Sequence, residues 1–343
     1  MTVLAQINNN LIIIYSTLSI LFTLFFFLNL DLISSKLNIY DYSDKNRKLH
    51  KKKVPPIGGV IFFLIFSFYV GCILFFFESR IFVHEKHIIV LFITCIIIFL
   101  AGLIDDKINL SSHRKTIIFL FLISVLILND NELILTYLKI VSFDKTFALG
   151  NISILFTIFC FFVFINAFNM YDGINLQSGL YLLTLFGFFL YKDIEPLLFT
   201  PFIFITIVFL FYNYREKIFL GNCGSYFLPL LISSFFIKSN TKLNLVSVEE
   251  IIILMMIPGL DLIRLFCKRI MEGKSPFVAD RNHIHHILSH NLGDLKSVFV
   301  IFFITFSSII IYQFLNSILI LLFQIIIYLY LIIFFGNKKN KIK

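Results

Sequence analysis

Long apolar runs separated by short polar clusters set the pattern of this chain. A membrane span needs ~20 apolar residues. Eleven segments read as spans: 11–32, 57–77, 87–104, 116–130, 150–168, 179–191, 197–213, 225–238, 249–267, 297–314 and 316–336. The fourth, sixth and eighth are short. Leu135–Leu149 reads as a weaker hairpin or helix on the outer side. Pro258-Gly259 is expected to break the ninth span, because proline lacks the N–H that continues a helix. No internal repeat, low-complexity linker or separate soluble domain interrupts the pattern. The expectation is an all-α, polytopic membrane protein with about 11 (10–11) transmembrane helices, forming a single domain over 1–343.

Composition sharpens this. Of 343 residues, 59% are hydrophobic and 14% charged, with a mean hydropathy of +0.94. Soluble domains carry about 25% charge, so a soluble globule is excluded. The five cysteines (Cys72, Cys95, Cys160, Cys223, Cys267) lie in or beside apolar segments without CxxC spacing. They suggest neither a disulfide framework nor a zinc site. Met1–Asn10 lacks the basic n-region of a cleavable signal peptide.

The net charge of +9 could point to nucleic acid, but its distribution points elsewhere. With the N-terminus placed outside, the outer loops keep only Arg80, Lys86, Lys139, Lys145, Lys192, Lys238 and Lys242 of the 29 Lys and Arg. Positive charge gathers inside, which puts the C-terminus in the cytoplasm and leaves no call for a nucleic-acid partner. Every polar motif then falls on the inner side, so the candidate chemistry is expected to face the cytoplasm.

In "GLIDDK", Asp105 and Asp106 end the third span. They read either as a helix stop or as a cation or acid/base site at a solvated edge. Adjacent helical residues point about 100° apart, so one can ligate a metal while the other faces substrate. In "NAFNMYDGINLQSG", Asn166, Asn169 and Asp172 share one face, with Asn175 a turn later. Amides both donate and accept, which suits a base or an N-acetyl group. "FLGNCGS" is a Gly-bracketed loop whose backbone N–H groups can approach a ligand. Asp261 and Arg264 read as a plain intrahelical ion pair. "ADRNHIHH" supplies Arg281, His283, His285 and His286. Zinc is the alternative there, but no cysteine or fourth ligand is near, and donors to a diphosphate fit better. "DKNRKLHKKKVPPIGG" is a juxtamembrane basic cluster that grips anionic lipid heads. Its Arg47, Lys48 and His50 could hold a lipid phosphate.

These five motifs, in this order between hydrophobic spans, resemble the polyprenyl-phosphate N-acetylhexosamine-1-phosphate transferases (glycosyltransferase family 4). They are most similar to the undecaprenyl-phosphate GlcNAc-1-phosphate transferase branch, which starts O-antigen, enterobacterial common antigen and teichoic acid linkage synthesis. The likeness runs from about Asp44 to Leu288. It implies ten or eleven helices in a bacterial inner membrane and a cytoplasmic-side Mg²⁺ site, with Mn²⁺ as the alternative cation. It implies transfer of a phospho-N-acetylhexosamine from a UDP-sugar to undecaprenyl phosphate, releasing UMP, among membrane lipids and with a homodimer as one assembly state. By the resemblance, Asp105, Asp106 and Asp172 are catalytic and, with Asn222, hold the metal. Arg281, His283, His285 and His286 contact phosphates or nucleotide, and Lys115 is the basic residue that follows the aspartate pair. Two departures stand out: "DGINL" for the usual "DGIDG", and Asn222 for the usual Asp in "FLGDxGS". They make a weakened or silent relative the main alternative. A secondary transporter is the other, but it would show midplane charges and inverted repeats.

Overall fold

The computed structural model describes residues 2–37, 39–40, 53–275 and 282–340; for 2–10 and 337–340 it describes the backbone alone. Arg47, Lys48, His50 and Arg281 lie outside the described residues. In order come α1 (Thr2–Leu28), α2 (Leu30–Leu37), α3 (Gly58–Phe75), α4 (Glu85–Ile108) and α5 (Ser112–Asn129). A hairpin of β1 (Tyr137–Ile140) and β2 (Lys145–Ala148) follows, then α6 (Ser153–Tyr171), α7 (Gln177–Tyr191), α8 (Pro196–Tyr214) and α9 (Gly221–Thr241). The chain closes with α10 (Val248–Met271), α11 (Ile284–Leu292), α12 (Asp294–Ile311) and α13 (Ser317–Asn340). Helices dominate because hydrocarbon offers a backbone no hydrogen-bond partner but itself.

Each of the eleven expected spans falls on a helix, and the chain is an all-α polytopic membrane protein. Eight helices among the described residues are long and apolar enough to cross a membrane. The expected spans outside those eight fall on α7, which has 15 residues, and on α9 and α10. Glycines, serines and Lys238 dilute α9, and α10 carries Glu249, Glu250, Asp261, Arg264, Lys268 and Arg269. The segment 135–149 is a hairpin, antiparallel with Tyr137 opposite Ala148.

Pro258 does not break its helix: α10 runs through it. Proline leaves the carbonyl of residue 254 without its intrahelical donor, and the Tyr181 hydroxyl bonds that carbonyl at 3.1 Å. A capping box between Ser247 and Glu250 fixes where α10 starts.

The backbone divides into two compact units, Met1–Ser111 with Leu185–Leu231, and Ser112–Thr184 with Ile232–Lys343. In the first, α3 packs against α4 and α8, and α1 against α8. Aromatic side chains fill its core: Phe63 stacks on Phe99 at 4.1 Å, and Phe62 meets Phe202 edge-on at 5.3 Å. In the second, α10 packs against α6, α12 and α13, and α11 lies on α12 and α13. Its one fully buried lysine among the described residues, Lys238, is paired with Asp130 and Glu132, both at 2.7 Å. A buried charge is tolerated only when paired.

Candidate active site: two motif clusters

The first unit joins three motifs. Residues leading into α3 lie beside those leading into α9: Phe219 N–H bonds the Pro55 carbonyl at 3.1 Å, while Gly58 and Gly59 N–H bond the carbonyls of Phe219 and Leu220, both at 2.8 Å. The first N–H groups of a helix have no partner within it, and here the neighbouring segment satisfies two of them. Glycine is required at the contact. A Cβ on Gly59 would strike the Gly224 backbone, and one on Gly102 would lie 2.6 Å from the Cys223 nitrogen.

That approach lets α4 place its two aspartates differently. Asp106 caps α9 from outside: its Oδ1 accepts from Asn222 N–H at 2.9 Å and its Oδ2 from Cys223 N–H at 3.3 Å. The Asn222 side chain also hydrogen-bonds Asp106. Gly221, at φ +78°, makes the turn that aims these N–H groups. An anion at a helix N-terminus is favoured by the orphan donors and the dipole. Asp105 is fully buried. Its Oδ2 accepts from the Tyr226 hydroxyl at 2.5 Å and its Oδ1 from Leu110 N–H at 2.6 Å. The solvated edge expected for both carboxylates therefore applies to Asp106 alone, which is half-buried. Asp105 turns inward because the helix rotation that exposes one neighbour buries the other.

The second unit joins the two remaining motifs. Asp172 ends α6, its N–H bonded to the Phe168 carbonyl at 3.0 Å. Gly173 follows, and the His285 ring lies directly against it: a Cβ there would meet Cε1 at 2.7 Å and Cδ2 at 2.9 Å, with Nε2 closer still. Burial pushes the Asp172 carboxyl up to about 6, against a hydrogen bond with Ser178 that lowers it. Burial also pushes the His285 imidazole well below its ordinary value, with His286 and His283 adding to the effect. His285 is therefore neutral near pH 7 and can act as a donor rather than a cation. Its Nδ1 lies 3.5 Å from Gln177 Nε2, while His285 Nε2 and Gln177 Oε1 are buried with no partner among the described residues. The three imidazoles pack together: His283 stacks on His285 at 5.3 Å, and His286 lies tilted against His285 at 4.3 Å.

Lys115 is half-buried in the first turn of α5 and Asn175 half-buried in the turn after Asp172. Asn166 spends its amide on the Phe162 carbonyl at 2.7 Å, one turn back. Asn169 is half-buried on the same helix.

Several known proteins are similar to this chain. The sequence pattern of glycosyl transferase family 4 matches residues 88–240. A probable undecaprenyl-phosphate N-acetylglucosaminyl 1-phosphate transferase of Bacillus subtilis is 29% identical over 287 residues, 80% of this chain and 76% of that protein. The undecaprenyl-phosphate alpha-N-acetylglucosaminyl 1-phosphate transferase of Escherichia coli K12 is 26% identical over 298 residues, 82% of this chain and 77% of its own. That of Thermotoga maritima is 27% identical over 274 residues, 79% and 80%. The chain is thus similar to glycosyl transferase family 4 over residues 88–240 and to these transferases over about four fifths of its length. The matched region, 88–240, contains Asp105, Asp106, Asp172 and Asn222 and ends before the histidines.

Tyr226 and Gln177 escaped the reading of the sequence, and Asp261 was read only as half of an ion pair. Tyr226 follows the "FLGNCGS" loop by one residue, but nothing local points its hydroxyl at Asp105. Asp261 holds Arg264 at 2.7 Å as expected. It holds the histidine segment as well, a contact to residues 22 and 23 positions away.

Proposed function

We propose that this enzyme transfers N-acetylglucosamine 1-phosphate from UDP-GlcNAc to undecaprenyl phosphate. The lipid phosphate oxygen attacks the sugar-bearing phosphorus, the bond to UMP breaks, and UMP leaves. The product starts a lipid-linked cell-envelope polysaccharide. The observation that carries this reading is the similarity, over about four fifths of the chain, to relatives named for that reaction. Two clusters of motif residues add support, one built on aspartates and one on imidazoles.

The donor set suits a hard cation. Asp106, Asp172 and Asn222 offer oxygen only, as Mg²⁺ prefers. Asp106 has accepted two backbone N–H groups, and a carboxylate has about four lone-pair sites, so acceptor capacity remains. By the resemblance, Asp105, Asp106, Asp172 and Asn222 are the residues that would hold Mg²⁺. When bound, that ion supplies charge neutralisation on the diphosphate. Asp105, buried and bonded to Tyr226, holds its end of α4 in place. Neutral His285 and its neighbours donate to phosphate oxygens. The unmatched His285 Nε2 and Gln177 Oε1 favour a polar ligand at this cluster, since buried unmatched groups cost about 1–3 kcal/mol each. Arg47, Lys48, His50, Lys115 and Arg281 contribute positive charge toward the phosphates of the two substrates, and Asn166, Asn169 and Asn175 contribute amides toward the nucleotide or the N-acetyl group. The protein sits in a bacterial inner membrane with its N-terminus outside and C-terminus inside, as the Lys/Arg distribution favours.

The test is direct. Purified protein is incubated with undecaprenyl phosphate and, separately, UDP-GlcNAc, UDP-GalNAc and deoxy analogues, and UMP release and lipid mass are read. UMP with a GlcNAc-diphosphate lipid is expected. No UMP from any donor, or sugar uptake into vesicles without a lipid product, overturns the proposal.

A further inference from the structure

We propose that Asp261 is a positioning residue that sets the tautomer and orientation of His283 and, through it, of the histidine stack. The inference deepens the transferase reading and rests on it for its kinetic consequences.

Four groups converge on one carboxylate. Asp261 Oδ2 lies 2.8 Å from His283 Nδ1. Its Oδ1 accepts from Ile284 N–H at 3.1 Å, from the Tyr328 hydroxyl at 3.0 Å and from Arg264 Nη2 at 2.7 Å. Arg264 also donates to the Asn282 carbonyl at 2.6 Å and, through Nε, to Tyr328 Oη at 2.7 Å. The carboxylate, the guanidinium and the phenol thus close a ring across α10 and α13, and that ring holds residues 282, 283 and 284 by three separate atoms.

Two consequences follow. First, α11 begins at His283 without a side-chain cap of its own, so Asp261 supplies the cap from α10. Second, an ionised carboxylate only accepts hydrogen bonds. The proton on the shared line therefore belongs to His283 Nδ1. Asp261 is 5% exposed and His283 7%, so water does not compete for either group. The His283 ring lies parallel to the His285 ring, at 7°, and His285 in turn is packed against Gly173. An imidazole fixed at Nδ1 presents Nε2 in a constant direction, which is how carboxylate partners orient functional histidines elsewhere.

The plain alternative is that Asp261 only holds the fold together. Asp261→Asn separates the two roles. It keeps size and one acceptor oxygen, but its amide donates toward Nδ1 and so inverts the tautomer. The full-length protein, labelled with ¹⁵N-histidine and held in nanodiscs, is read by long-range ¹H–¹⁵N correlation. The wild type is expected to carry the proton on His283 Nδ1, and D261N to carry it on Nε2. In kinetics, D261N and H283A each lower kcat/KM for the UDP-sugar roughly ten- to hundredfold. The double variant falls no more than about twofold below the worse single one, because both act through one ring. Should D261N fail to fold, Tyr328→Phe enters the same cycle. It is expected to cost about two- to fivefold alone and nothing further in the H283A background.

An unchanged tautomer in D261N, full activity in D261N, or losses that multiply in the double variant each overturn the inference. If the wild type releases no UMP from any donor, the transferase reading falls instead. The tautomer measurement then decides the positioning role by itself.

Discussion

Gly173→Ala tests the contact between the aspartate loop and the histidine segment. A methyl at 173 would lie 2.7 Å from His285 Cε1 and 2.9 Å from Cδ2, where carbon atoms in contact prefer about 3.5–4 Å. The imidazole must therefore move by roughly an ångström. It has little room: His285 is 1% exposed, stacks on the His283 ring and lies against the tilted His286 ring. Overpacking of this kind costs about 1–3 kcal/mol, or roughly 5- to 150-fold if it falls wholly on the productive conformation. The Gly173 backbone is outside the left-handed region, so alanine adds no strain of its own and the collision alone carries the effect. The assay is kcat/KM from UMP release, with the thermal midpoint of the detergent-solubilised protein alongside. Both should fall in G173A. In an H285A background the ring is gone, and G173A should then cost only a few tenths of a kcal/mol. Wild-type behaviour of G173A, or an equal loss in the H285A background, would refute the contact.

Two further outcomes are expected. Asn222→Asp sets a second carboxylate against Asp106, a repulsion of roughly 4 kcal/mol at 4 Å and an effective dielectric of 20, only partly offset by the α9 N-terminus. Without divalent cation N222D should melt below the wild type, and millimolar Mg²⁺ should restore it while lowering the Mg²⁺ needed for UMP release; a midpoint indifferent to Mg²⁺, or inactivity at every concentration, contradicts this. For Asp172, the folded pKa of about 6 lies above the ordinary 3.8. The stability that the protonated form contributes is complete below pH 3.8 and is lost as pH rises through about 6. In EDTA the wild type should accordingly lose on the order of 3 kcal/mol relative to D172N between pH 4 and 7, and parallel melting curves would rule it out.

The spans were legible because each is a local property: a run of apolar residues long enough for the bilayer needs no partner to be read. The hairpin at 137–148 was half-legible, as strand and helix compete on equal terms in a short segment. The fate of Pro258 was not, because the group that rescues its freed carbonyl is Tyr181, 73 residues away in the chain. The aspartate pair shows the same division. Its chemistry could be read from "IDDK", but the difference between Asp105 and Asp106 depends on Tyr226 and on the backbone of α9. Asp261 was read as half of an i, i+3 ion pair, which it is. Its bonds to His283 and Ile284 come from a separate helix start that no spacing rule reaches.

By itself the sequence determined the membrane class, the helical spans and the residue types available for chemistry, because hydropathy and functional-group type belong to residues taken one at a time. Only the tertiary structure decided which aspartate is buried, which caps a helix, and which carboxylate steers an imidazole. Those outcomes depend on hydrogen bonds shorter than about 3 Å between positions far apart in the chain, and a one-dimensional pattern carries no such distance.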